Sequence, residues 1–172
     1  MKIKIFPIIL IIVFAIIFLI FYRGLQNSNI YTPNVQIKKD IPSFEGKVFD
    51  SETITKSEKI FLENKFYLVN IWASWCIPCI EEHSFLVDLS KKQNLEIIGI
   101  NYKDKNENAK IFLNKFDSPF ELIIEDYDGT IAIEWGAFGV PETFLIFDKK
   151  IIKKIIGPLN NDLSLQIQEL IK

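Results

Sequence analysis

Cys76 and Cys79 are the only cysteines of this chain, set three residues apart in the string WASWCIPCIEEH. Two thiols at that spacing can close a disulfide with little backbone movement when the segment turns into a helix, which gives a reversible dithiol/disulfide pair and points to thiol–disulfide exchange. Phe66 to Trp72, FYLVNIW, is a near-continuous apolar run that predicts a strand buried on both faces. From Pro78 to about Lys92, Ile80, Phe85, Leu86 and Leu89 recur near helical spacing. The pair therefore falls where a strand ends and a helix begins. Free N–H groups and the positive dipole end at a helix N-terminus favour a thiolate, so Cys76 is expected to be the exposed, activated nucleophile, with Cys79 one turn in.

Other chemistries fit the residues less well. A structural disulfide is compatible with an even cysteine count, but so short a loop removes little unfolded-state entropy. Zinc would find three ligands in Cys76, Cys79 and His83, where a structural site takes four, and the chain has no other Cys or His. A cysteine hydrolase needs a histidine against its thiol, yet His83 lies seven residues along the same predicted helix, roughly 10 Å away. The haem-attachment pattern C-x-x-C-H fails at Ile80. His83 reads as a partly exposed helix residue, Trp72 and Trp75 read as core, and EDYDG at 125–129 reads as a turn, without calcium-loop spacing. Glu82 shares the helix face of Cys79, where a partly buried carboxylate could take the proton of the resolving thiol; plain surface charge is the alternative reading. Glu81 is offset about 200° from Cys79 and reads as solvated surface.

The elements around the pair follow an alternating order. LEIIGI at 95–100 predicts a second buried strand and AKIFLNKF at 109–116 a second helix. A short strand is expected at 121–124, a turn at 126–129 and a helix at 131–135. Residues 143–147 and 150–156 read as a hairpin about Asp148-Lys149, before a final helix at 161–171. This order predicts an α/β sandwich: an open parallel sheet with an antiparallel edge and helices on both faces.

The whole chain has 172 residues, 20 basic and 22 acidic, for a formal net charge of −2, and Arg23 is its sole arginine. Phosphate-reading forks are nearly absent, which argues against nucleic-acid binding. Ile5 to Tyr22, IFPIILIIVFAIIFLIFY, carries no charge over eighteen residues, enough to cross roughly 27 Å of hydrocarbon as a helix. Lys2 and Lys4 precede it and Arg23 follows, so the positive-inside rule leaves the N-terminus cytoplasmic and exports the rest. No A-x-A pattern follows, which favours an uncleaved anchor over a removed signal peptide. Three segments are expected: a transmembrane signal anchor at 1–24, a tether at 25–39 containing Pro33, and a mildly acidic domain at 40–172.

The string NIWASWCIPC at 70–79, followed by GAFGVPETFLI at 136–146, resembles the thioredoxin-like family and, within it, the membrane-anchored cytochrome c maturation branch of the CcmG/DsbE type. The resemblance covers about residues 40–172 and implies a thioredoxin-like three-layer sandwich, a mixed central sheet with helices on both faces. It also implies a cis proline at Pro141 beside the cysteines, a substrate groove of Trp75, Val140, Pro141 and Glu142, and a tuning role for Glu82 and Glu142 on the redox pair. Ile77-Pro78 departs from the Pro-Thr of some relatives, which bears on the reduction potential. The implied activity is a reductase. Cys76 would attack a disulfide of apocytochrome c or its maturation chaperone, and Cys79 would resolve the mixed disulfide. A membrane electron-transfer protein would recharge the pair, with no cofactor beyond the Cys76–Cys79 disulfide. The implied location is the cell inner membrane, single-pass, with the C-terminal domain on the periplasmic side. Two other readings stand beside it: a general periplasmic thiol reductase of broad range, and a non-catalytic tethered module that docks an assembly partner through Val140 and Pro141.

Overall fold

The computed structural model describes residues 5–26 and 39–172. The chain divides into two units, 1–35 and 36–172. In the first, helix α1 (Ile5–Gln26) extends four residues past the predicted apolar run and exposes large apolar side chains, among them Phe6 and Ile9 to Phe14. Among the described residues no helix is long and apolar enough to cross a membrane. Most of the expected tether, 27–38, lies outside the described residues.

The second unit is built on β3 (Phe66–Trp72), flanked by β4 (Leu95–Tyr102) and β6 (Glu142–Phe147). With β1 (Glu45–Val48), β2 (Ile54–Lys56), β5 (Leu122–Asp126) and β7 (Lys150–Ile156) it forms one seven-stranded sheet in the order β2-β1-β5-β4-β3-β6-β7. β3, β4 and β5 run parallel, and both flanks are antiparallel. One antiparallel edge was expected, at the hairpin. The second, β1 and β2, escapes sequence reading because EGKV and ITK are short and half polar, as edge strands commonly are. Between β2 and β3 the single turn α2 (Ser57–Ile60) was likewise not anticipated.

Strand alternation decides what lies beneath the cysteines. Tyr67, Val69 and Ile71 face one side, packing with Phe61, Trp135, Phe144 and Ile131 of α5 (Thr130–Glu134). Leu68, Asn70 and Trp72 must then face the other. On that side α3 (Ile77–Ser90) sets Leu86 and Leu89 against Leu68 and Leu145, together with Ile167 of α6 (Asn161–Leu170). α4 (Asn106–Phe116) lays Ala109 and Phe112 on Trp72 and Cys79. Helices thus cover both faces, as expected. Gly99, level with Asn70 on the neighbouring strand, lets the indole of Trp72 lie across β4; a Cβ there would meet its Nε1 at 2.8 Å.

The remaining elements match the sequence reading within a few residues. β5 runs on through Asp126, whose carboxylate accepts the amides of Ile131 (3.0 Å) and Ala132 (2.9 Å) and so caps α5. The EDYDG turn is therefore a capping turn. At α6 the Asn160 side chain accepts the Leu163 amide at 2.9 Å.

Candidate active site

β3 delivers the chain to Ala73, Ser74 and Trp75, and Cys76 is the N-cap of α3. Its extended backbone (φ −88°, ψ 108°) and its sulfur, which accepts the Cys79 amide at 3.1 Å, satisfy one of the free N–H groups of the first turn. Pro78 sits in that turn, where its missing N–H is harmless. Cys76 and Cys79 are joined as a disulfide, with Cα atoms 5.3 Å apart. In this oxidised form Cys76 is 3% exposed, not the open nucleophile the sequence led us to expect, because its sulfur points inward to Cys79 and packs with Trp72, Ala73 and Val140.

The loop before Cys76 is held by one buried carboxylate. Asp104 accepts the Ser74 amide (2.5 Å) and hydroxyl (2.8 Å), the Asn101 side-chain amide (3.1 Å) and the Lys105 amide (2.8 Å). Trp75 donates its indole N–H to Lys103 O at 3.1 Å and leaves the ring 55% exposed. Trp75 is therefore not core, whereas Trp72 is. Val140-Pro141 is a cis peptide, and Val140 packs on the cluster holding both cysteines. Val140 thus lies beside the disulfide, and the cis form of Pro141 is the one the resemblance implied.

The two glutamates do not sit together. Glu82, one turn beyond Cys79 on α3, is fully buried: Oε1 accepts from Asn70 Nδ2 (2.8 Å) and Oε2 from the Leu159 amide (2.7 Å). Asn70 also donates to Thr143 Oγ1 at 3.0 Å, so β3 and β6 share one polar network beneath α3. Burial pushes the Glu82 carboxyl up to about 7, while the two hydrogen bonds pull the other way. The surface-charge alternative for Glu82 is overturned; Glu81 is the exposed one. Glu142, also buried, shares the sheet face of Phe144, opposite to Asn70 and Thr143. Its Oε1 accepts the amides of Phe138 (2.7 Å) and Gly139 (3.2 Å), and Lys154 Nζ lies 2.7 Å from Oε2 as an ion pair off the line of a hydrogen bond. Glu142 therefore shapes the loop before the proline.

His83 is buried rather than partly exposed. Its Nε2 lies 2.7 Å from Asp117 O and its ring stands edge-on to Phe112. Sequence reasoning missed Asn70, Thr143, Asp104 and Lys154. A signal existed for the first: an asparagine in the middle of FYLVNIW needs a buried partner.

A sheet with a parallel centre, helices on both faces, a Cys-x-x-Cys disulfide at a helix N-terminus and a cis proline against it define the thioredoxin-like thiol–disulfide oxidoreductases. The AhpC/TSA family matches residues 37–155. The chain is 38% identical over 149 residues, 86% of itself and 82% of the relative, to thiol:disulfide interchange protein DsbE of Pseudomonas fluorescens biotype C. It is 44% identical over 101 residues to thiol:disulfide interchange protein CycY of Rhizobium leguminosarum bv. viciae, a match spanning 58% of this chain and 54% of that one. A thioredoxin family thiol:disulfide interchange protein of Chlorobium tepidum TLS shares the fold, with a TM-score of 0.64, 22% identity, and coverage of 78% of this chain and 96% of that one. The chain belongs to the AhpC/TSA family, among the DsbE-type thiol:disulfide interchange proteins.

Proposed function

We propose that the protein works as a membrane-anchored periplasmic reductase that keeps the cysteines of apocytochrome c, or of its maturation chaperone, reduced before haem attachment. Glu82 carries this reading: a fully buried carboxyl held near neutrality, one turn from the resolving cysteine. A reductase needs its second thiol deprotonated after the mixed disulfide has formed, and a base of that strength can hold the proton. The Cys76 thiolate attacks one sulfur of the substrate disulfide, forming a Cys76–substrate bond and releasing the first substrate thiolate. Cys79, its proton passed to Glu82, attacks the Cys76 sulfur, closes the internal disulfide and releases the second thiolate. Two electrons leave the protein. A membrane electron-transfer protein returns them, and no other cofactor is needed.

The apolar residues of α1, with Lys2 and Lys4 ahead of them, support an inner-membrane anchor that leaves the C-terminal domain on the periplasmic side. Trapping on the full chain tests the clientele. With Cys79→Ser expressed in the host, acid-quenched mixed disulfides on Cys76 should be dominated by apocytochrome c or its chaperone. A broad spread of adducts would make it a general thiol reductase, and none, with Cys76 intact, a binding module. Protease added to spheroplasts should digest the domain; full protection would reverse the topology.

A further inference from the structure

Lys154 has no counterpart in the chemistry described so far, yet its side chain is 6% exposed, where lysine is almost never found without partners. It reaches that place through an irregularity of β7. The β6–β7 register shifts between Leu145 and Ile146, so that Leu145 pairs with Lys153 but Ile146 with Ile151, leaving Ile152 as an extra residue. A bulge reverses the alternation beyond it. Lys153 is thereby turned to α6, bonding Gln166 at 2.5 Å, and Lys154 to the opposite face beside Phe144. There its ammonium meets the Glu142 carboxylate at 2.7 Å, donates to Gly136 O at 2.8 Å, and stands 4.8 and 5.2 Å from the ring centres of Phe138 and Phe144.

Gly136 and Phe138 belong to the segment that ends in the cis proline, and Glu142 and Phe144 to the strand that follows it. Gly136 is held by its carbonyl, Phe138 and Gly139 by their amides through Glu142, and Phe138 also by its ring. Glu142 supplies acceptors, and Lys154 supplies the opposite charge beside them and the second tie to the loop. Val140, packed beside the cysteines, is the next residue along.

We propose that Lys154 is a positioning residue for polypeptide substrates: it fixes the 136–140 loop so that Val140 meets a substrate strand, and leaves the chemistry of the thiols alone. This rests on the exchange reaction and not on the identity of the client. The test uses the full chain, reduced, with an oxidised Cys-Ala-Gln-Cys-His peptide and with cystamine. Lys154→Met should raise the half-saturating peptide concentration about tenfold, the weight of one charge-assisted hydrogen bond, while Cys76 alkylation and cystamine reduction keep their rates. Lys154→Arg should recover most of the loss. The amides of Phe138 and Gly139 should exchange with deuterium faster in Lys154→Met, and that of Leu159 should not. An unchanged half-saturation, Cys76 alkylation slowed in step with it, or full protection of those two amides would overturn the assignment. If the wild type reduces cystamine but not the peptide, the cytochrome reading falls, and amide exchange at Phe138 and Gly139 alone decides for or against Lys154.

Discussion

Leu159 donates its backbone amide to Glu82 Oε2 at 2.7 Å, tying the loop ahead of the last helix to the helix that carries both cysteines. The other oxygen is held by Asn70 from the central strand. Both partners are neutral, so the carboxylate gains hydrogen bonds but no opposite charge, and desolvation prevails in its titration. A carboxyl poised in this way can both take and return a proton near pH 7.

The first consequence is kinetic. The rate at which Cys79 releases a mixed disulfide should rise with pH through about 7 as Glu82 ionises. Glu82→Gln should remove that inflection and slow release by about two orders of magnitude, the usual weight of one proton-transfer group. Stopped-flow release from a Cys76 mixed disulfide reads this directly; an unchanged rate would take Glu82 out of the mechanism.

The second is thermodynamic. Glu82 has a pKa raised in the folded state, so between about 4.5 and about 7 the native protein holds a proton that the unfolded chain has released. Its contribution is fully present below the unfolded value and is lost as pH rises to about 7, up to about 3 kcal/mol. Denaturant midpoints of the oxidised protein should fall over that window and level off above it. Glu82→Gln should flatten this part of the curve and be the more stable protein at pH 8. Equal slopes for the two proteins would show that Glu82 is not the group responsible.

Much of this was legible in the chain, for identifiable reasons. Periodicity exposed β3, α3 and the hairpin because each buries a continuous apolar run, and the Cys76–Cys79 spacing exposed the reaction. The burial of His83 was not legible, and that of Glu82 was only one of two readings. A glutamate and a histidine within IEEH look alike whether they face solvent or the sheet, and the difference is made by Asn70 and Asp117, distant in sequence. Lys154 was hidden further, since a single bulge decides which lysine of KK points inward.

Asp104 offers a test of the loop ahead of the cysteines. Removing its carboxylate leaves the half-buried Ser74 amide, the Lys105 amide and the buried Asn101 side chain without their acceptor. Asp104→Ala should lower stability by about 3 kcal/mol. Asp104→Asn should lose part of this, because an amide cannot accept on both atoms. Chemical denaturation would check the order; parity of Asn with the wild type would show that only one oxygen matters.

Asn70 sets the strength of the base from below. With Asn70→Ala the Glu82 carboxylate keeps the Leu159 amide but loses one of the two bonds that favour its charged form, so the inflection in mixed-disulfide release should move to higher pH. Thr143 Oγ1 loses the same donor, which adds about 1 kcal/mol of destabilisation without touching the thiols. An inflection that stays in place would mean that Asn70 only fills space.

Reduction should separate the two thiols that the disulfide makes look alike. Cys76 is the N-cap, its sulfur already in line with the Cys79 amide, and on reduction that N–H and the dipole end stabilise its anion. Cys79 sits a turn inside, packed on Phe112 of α4 and Trp72, with Glu82 on its own helix face. A negative neighbour and an apolar wall both oppose a second thiolate. Iodoacetamide should therefore modify Cys76 well below pH 8 and Cys79 far more slowly, with mass mapping of the two sites as the readout. Equal, slow modification of both would contradict an activated nucleophile, and faster modification of Cys79 would reverse the assignment of attacking and resolving thiol.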